Sequence, residues 1–351
     1  MLHLPALFDP SPKNDPRFLY GRDKELRDLV THIKEKRWVI LLGPRRIGKT
    51  SLARCAIAKI RCKNVLVDSR ANNDFAGAFV SSLIGAGGSL QAQVGLAATP
   101  LPLTVGVSYN RSAFKEGLDR LLKRIDRLVV IIDEAQWLRN PRGVTMLLAH
   151  IYDYHYDRVT LVITGSAVGV MRSIAEPGAK SPLYGRAIVR MEVGRWSPSV
   201  SLGFLKEGCN EKRIHYHEDF MAKVVDTLDG IPGWLTLYGY NYSLDPREAV
   251  DPLRKTLDEA LKIVSEEMES VSKIAVGWHR QLKILKELSV GPRRFMEMAE
   301  AVRINNQALS RHLDMLQRLR YIEKDNEGRY SMIDPILIEY VKRKGRRGSP
   351  R

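Results

Sequence analysis

Eight residues, Gly43-Pro44-Arg45-Arg46-Ile47-Gly48-Lys49-Thr50, carry the spacing G-x-x-x-x-G-K-T. Glycines at both ends of such a loop let backbone N–H groups close around a chain of phosphates. Lys49 is placed to reach the β- and γ-phosphates of ATP, and the Thr50 hydroxyl to ligate Mg²⁺. Ser51 completes the nucleotide-binding stretch at the mouth of the following helix. Far downstream, Asp133-Glu134 closes an apolar run. Asp133 is the expected Mg²⁺ ligand, direct or through water, and Glu134 the expected general base for the attacking water. Thr164 or Ser166, at another strand end, is a candidate sensor of the γ-phosphate or of that water.

These groups act together only if strands and helices bring them to one edge. Trp38-Val39-Ile40-Leu41-Leu42 precedes the glycine loop and reads as a buried parallel strand, and Ser51 to Ala58 reads as the helix after it. A helix N-terminus facing the loop favours an anion. Leu128 to Ile132 is a second buried strand, ending at the acid pair. Asn64 to Asp68, Arg158 to Ser166 and Ala187 to Val193 supply further strands, and Val144 to Tyr154 a helix. The expectation is an α/β P-loop NTPase core, a doubly wound parallel sheet whose ligands bind at the carboxyl ends of its strands.

With the phosphate loop, Asp-Glu-Ala-Gln at 133–136 and Ile-Thr-Gly-Ser at 163–166, the chain resembles the AAA-type P-loop ATPases. More narrowly it resembles the archaeal regulatory ATPases of the STAND group. Phe18-Leu19-Tyr20-Gly21-Arg22-Asp23-Lys24-Glu25-Leu26 is similar to the opening motif of that family, Pro182-Leu183-Tyr184-Gly185-Arg186 to its Tyr-Gly-Arg element, and Gly230-Ile231-Pro232 to its lid motif. The resemblance implies that Tyr20 and Arg22 lie near the nucleotide. It also implies that Arg186 meets the γ-phosphate within the chain or from a neighbouring subunit, and that Pro232 packs against adenine. As residues, Arg22 and Arg186 are fixed cations that could face phosphates, the second only in the γ-phosphate state, with surface ion pairs as the alternative, and Pro232 could equally end a helix.

The chain has 351 residues, enough for two or three domains, and 44% of them are hydrophobic. The reading divides it into an ATPase core at 1–197, a helical lid at 198–272 and a winged-helix domain at 273–351. In the last, Leu282 to Leu288, Phe295 to Val302 and Asn306 to Leu319 read as helices. Residues 321–333 read as a hairpin. The third helix buries Leu309, Leu313, Leu316 and Leu319 and is expected to expose Gln307, Arg311 and Arg318, as a DNA-reading helix does. Lys324 and Arg329 on the wing, and Lys342 to Arg347 in the tail, add cations.

The net charge of +16 suits a polyanionic partner. A heat-adapted surface is the alternative account. The winged helix is therefore expected to serve double-stranded DNA or a protein partner, with an oligomer open. No run approaches the ~20 apolar residues of a membrane span, the first residues lack a signal-peptide pattern, and the sparse Cys55, Cys62 and Cys209 suit a reducing cytosol. His215 and His217 lack further ligands nearby in sequence, and the Gly- and Ala-rich stretch at 85–107 reads as a buried hairpin or a partner-binding loop. The whole points to a cytoplasmic, slow ATPase switch. The alternatives are a nucleotide-gated scaffold with negligible turnover and a DNA-replication or repair ATPase.

Overall fold

The computed structural model describes residues 7–60, 62–69, 79, 111–165, 170–244, 251–273, 275 and 277–347. Ser166 and the stretch at 85–107 lie outside them. A 3-10 turn at Pro16–Phe18 leads to α1 (Asp23–Lys34), β1 (Trp38–Leu42) and α2 (Lys49–Ile60). Then come β2 (Lys63–Asp68), α3 (Arg111–Lys123), β3 (Leu128–Asp133), α4 (Pro141–His155), β4 (Val159–Thr164), α5 (Val170–Ala175) and β5 (Ile188–Glu192).

The five strands form one parallel sheet in the order β2-β3-β4-β1-β5. Every residue of β1, β3 and β4 is buried, which is why these strands are continuous apolar runs and not alternating ones. Alternate side chains go to opposite faces. Val39, Leu41, Val129, Ile131 and Val162 pack under Leu29 and Ile33 of α1 and Leu52 of α2. Trp38, Ile40, Val130, Ile132 and Ile163 pack under Leu118 and Leu122 of α3 and Leu148 and Ile151 of α4. With both faces covered, the functional groups have only the strand ends to occupy.

Among the described residues the helices α6 (Pro198–Lys212), α7 (Glu218–Leu228), α8 (Pro232–Leu244) and α9 (Pro252–Ser272) follow. The C-terminal part is α10 (Trp278–Val290), β6 (Arg293–Arg294), α11 (Phe295–Val302), α12 (Asn306–Arg318), β7 (Ile322–Lys324), β8 (Arg329–Met332) and α13 (Pro335–Arg347). This is a winged helix. α12 is capped by the Asn305 side chain, which accepts from the Ala308 N–H. It buries the Leu309, Leu313, Leu316 and Leu319 stripe. The hairpin pairs Ile322 with Met332, and the two-residue β6 adds a third strand against β8. Two arginines carry no strand pattern, so β6 is invisible in the sequence. Helices α6 to α9 and the winged helix share one apolar core, running from Phe204, Leu235, Tyr238 and Val264 to Leu288, Leu313 and Ile336. Phe8 belongs to it, with its ring against α6 and α8 and 5.5 Å from that of Phe204.

Candidate nucleotide site

The loop between β1 and α2 closes on itself. Gly43 has a φ of +154°, and a Cβ there would lie 2.3 Å from the Val193 carbonyl oxygen, so only glycine fits. Lys49 begins α2 and folds back, donating from Nζ to the Gly43 (2.9 Å) and Pro44 (2.7 Å) carbonyls. Burial pushes its ammonium down to about 8, against the opposing pull of Glu134. Two backbone carbonyls stand in for the phosphate oxygens that an ammonium in this position seeks.

β3 ends beside it. The Thr50 hydroxyl donates to the Asp133 carboxylate at 3.0 Å. Thr164, at the end of β4, donates to the same carboxylate and accepts the Glu134 N–H at 3.1 Å. Glu134 sits in the left-handed region with φ +55°, and the Gln136 amide donates to its carboxylate. A hydroxyl and a carboxylate, both hard oxygen donors facing one another, fit a Mg²⁺ ion.

A cavity of about 350 Å³ opens over this edge. Arg46, Ile47, Gly48, Lys49, Thr50, Ser51 and Glu134 line one side; Tyr20, Arg22 and Pro232 are also in the lining. The carbonyls of Gly43 and Pro44 face Lys49 instead. The aromatic wall is larger than the sequence reading foresaw: Tyr20, Trp196 and Phe204 form a mutual cluster with ring centroids 5.0–5.8 Å apart.

Two groups at the site had no sequence signal. Glu267 of α9, with its side chain 7% exposed, reaches Arg45 and Arg46 at 2.7 Å each. Burial opposes the charge of Arg45, but Glu267, Tyr321 and Glu134 together outweigh it and raise the guanidinium's pKa. Trp234 of α8 lies under Arg46, 4.3 Å from guanidinium carbon to ring. Its Nε1–H donates to the Asp334 carboxylate, just ahead of α13, at 3.1 and 3.2 Å. Burial raises the Asp334 carboxyl above its ordinary range. Arg320, following α12, donates to Glu192 at the end of β5 at 2.7 Å.

Four sequence expectations change. Arg22 lines the cavity as expected, but its guanidinium is held by protein groups. It is 4% exposed and donates to the carbonyls of Ile47 (3.1 Å) and Gly194 (2.6 Å), with Glu25 beside it, so it braces the loop from beneath. Arg186 is not at the site of its own chain. It precedes β5, whose first residue pairs with Trp38, the first of β1, and therefore lies at the amino-terminal edge of the sheet, where Asp153 holds it at 2.5 Å. Arg318 is 16% exposed and bound by Asp314 (2.8 Å) and Glu176 (4.0 Å), so α12 presents Gln307 and Arg311 but not Arg318. The wing is not basic. Arg329 pairs with Asp325 and Glu327, and Lys324 lies over the Tyr330 ring, so three acids face two cations across 322–329. In the tail, Arg343 is likewise paired with Glu339.

Comparison with known proteins agrees with this picture. A family profile described as "ATPase domain predominantly from Archaea" matches residues 19–237, and one described as "Bacterial regulatory protein, arsR family" matches 279–324. No curated protein matches the chain. Among solved structures, a Walker-type ATPase of Pyrococcus abyssi is 26% identical over 96% of this chain and 99% of its own, with a TM-score of 0.78. The ORC2 protein of Aeropyrum pernix, solved as ADPNP–ADP complexes, is 14% identical over 98% of each chain with a TM-score of 0.60. Cdc6p of Pyrobaculum aerophilum is 14% identical over 96% and 98%, with a TM-score of 0.53. The last two likenesses are of fold. Among the described residues no helix is long and apolar enough to cross a membrane.

Proposed function

The chain belongs to the family of ATPase domains found predominantly in Archaea, and from that premise we propose that it is a Mg²⁺-dependent ATPase switch whose nucleotide state repositions its winged helix. On this reading residues 1–197 are the ATPase core, 198–272 the lid and 273–351 the output module. One observation carries it: an unbroken path of charged and aromatic contacts from phosphate loop to winged helix. Glu267 holds Arg45 and Arg46, Arg46 lies over Trp234, and Trp234 donates to Asp334. The phosphates of ATP would arrive among these arginines and compete with Glu267 for them. The lid and the winged helix that depend on those contacts would shift with the outcome.

The chemistry follows from the strand ends. On nucleotide entry Lys49 exchanges the Gly43 and Pro44 carbonyls for β- and γ-phosphate oxygens. Tyr20, Trp196 and Pro232 are placed to receive the base. Thr50 and Asp133 would hold Mg²⁺, which neutralises charge on the phosphates. Thr164 fixes both Asp133 and the Glu134 backbone. Glu134 orients a water and accepts its proton as the water oxygen bonds to the γ-phosphorus. The bond to the β–γ bridging oxygen then breaks, releasing ADP and phosphate.

The test is a pair of variants. Lys49→Ala should lose ATP binding. Glu134→Gln should bind ATP normally and lose turnover by ~10²–10⁴-fold, the share of a general base. Equal turnover in wild type and Glu134→Gln would remove the base assignment, and no turnover in either would leave a nucleotide-gated scaffold.

A further inference from the structure

The winged helix carries a second concavity, of about 520 Å³, that the ATPase chemistry does not use. Its rim is His279, Arg280, Lys283 and Lys286 from α10, with Arg303 and Ile304 from the turn before α12. Arg280, Lys283 and Lys286 follow one another at three-residue spacing, so they stack along one helix face over roughly 9 Å. Arg303 closes the other side.

These four cations are exposed, and none has an ion pair or side-chain hydrogen bond among the described residues. That sets them apart from Arg318, Arg329 and Arg343, each neutralised by an acid of its own helix or hairpin. The one acid of the rim, Glu287, faces Arg293 at 3.9 Å. The field of the cluster extends to α12. Burial first, then Arg280, Arg311 and His279, keeps the His312 imidazole below its usual range. Unpaired like charges held together in a folded surface repel, and this arrangement lacks an internal reason to persist. A polyanion supplies one.

We propose that this concavity is a phosphodiester cradle, seating consecutive backbone phosphates of one strand of duplex DNA beside Gln307 and Arg311 of α12. The shape favours a strand over a compact anion. One phosphate group satisfies two of the cations, whereas the row continues beyond it. A DNA strand offers a charge every ~3.4 Å of axis and meets the whole row. The inference rests on the reading of the winged helix as the output module and names its partner's chemistry. It also moves the contact from the wing, whose cations are already paired, to α10.

The experiment is fluorescence anisotropy of a random-sequence duplex with the full-length protein across a salt series. The variants are Arg280→Ala/Lys283→Ala/Lys286→Ala and, as comparison, the wing pair Lys324→Ala/Arg329→Ala. Unchanged ATP turnover and thermal unfolding serve as the folding control. Each lost phosphate contact should reduce the log–log salt slope by about 0.9, so the triple variant should lose roughly 2.7. The weakening caused by a fourfold rise in salt should then be smaller by a factor of ~40. The wing pair should change little. A triple variant with the wild-type slope, or a wing pair that loses more than the triple, overturns the cradle. A wild type that hydrolyses ATP but ignores duplex at low salt overturns it too, and leaves the ATPase reading standing.

Discussion

Glu267→Gln isolates the link between the phosphate loop and the lid. The substitution keeps the shape of the side chain and removes its charge. Glu267 accepts from Arg45 at one carboxylate oxygen and from Arg46 at the other, 2.7 Å each, whereas a glutamine amide has a single oxygen to accept with, so one of the two hydrogen bonds is lost. A hydrogen bond to a charged group is worth ~1.5–3 kcal/mol, so the loss of one costs about 2. Arg45 and Arg46 are 23% and 21% exposed, so water recovers part of this. Halving the figure for that screening leaves a range of about 1–2 kcal/mol.

This energy stabilises the state in which the arginines are unavailable to phosphate. Removing it raises the fraction ready to bind, and apparent affinity rises by the same factor, ~5–30-fold. Titration of a fluorescent ATP analogue measures it, with Glu266→Gln on the exposed side of α9 as control. Hydrogen exchange should show the Trp234 and Asp334 region loosening in parallel. Unchanged or weaker affinity in Glu267→Gln would refute the competition and recast Glu267 as a group that positions the arginines for phosphate.

Lys49 predicts opposite pH trends in two measurements. Its folded pKa is about 8 against an ordinary 10.5. Between those values the unfolded chain binds more protons, so the stability of the nucleotide-free protein should rise with pH across that window, by thermal or denaturant unfolding. ATP affinity should fall as pH passes about 8, because neutral Lys49 offers phosphate no charge; Lys49→Met should abolish both trends. Arg186→Ala should leave ADP affinity intact; if Arg186 serves a neighbouring subunit, the variant should lose the part of turnover that rises with protein concentration, and a concentration-independent wild-type rate would exclude that role. Phe8→Ala should cost ~3–5 kcal/mol in denaturant unfolding, as for other buried Phe deletions.

The parts of this molecule legible in its sequence are those whose cause is local. The phosphate loop, the β1, β3 and β4 runs and the stripe of α12 each arise from spacing within a few residues. So does the placement of Asp133, since a strand end determines it. Roles that depend on distant partners were not legible. The partners of Arg22 are hidden in the sequence because the Ile47 and Gly194 carbonyls that hold it lie 25 and 172 residues away. Arg318 had the right helical face, but Glu176 and Asp314 are what decide its availability. Glu267 is one acid in an acid-rich helix and acquires meaning only when α9 crosses the loop. The within-chain role of Arg186 fails for a different reason: the residues before a parallel strand lie at the opposite edge from those after it.

Phe8 has a consequence for how the protein is made. Its ring fills the space that a side chain on Gly208 or Gly239 would take, within 2.2 Å of a Cβ at either. The segment behind it is tied to α2, with the Lys13 N–H donating to Ser51 Oγ at 3.1 Å. During synthesis from the N-terminus, Phe8 is added to the chain 231 residues before Gly239 exists to receive it. At about 5–20 residues per second that is a wait of roughly 10–50 s. Through that interval an aromatic side chain and its apolar neighbour Leu7 remain without their partners, open to chaperones and to other nascent chains, while the sheet beyond them is already able to close.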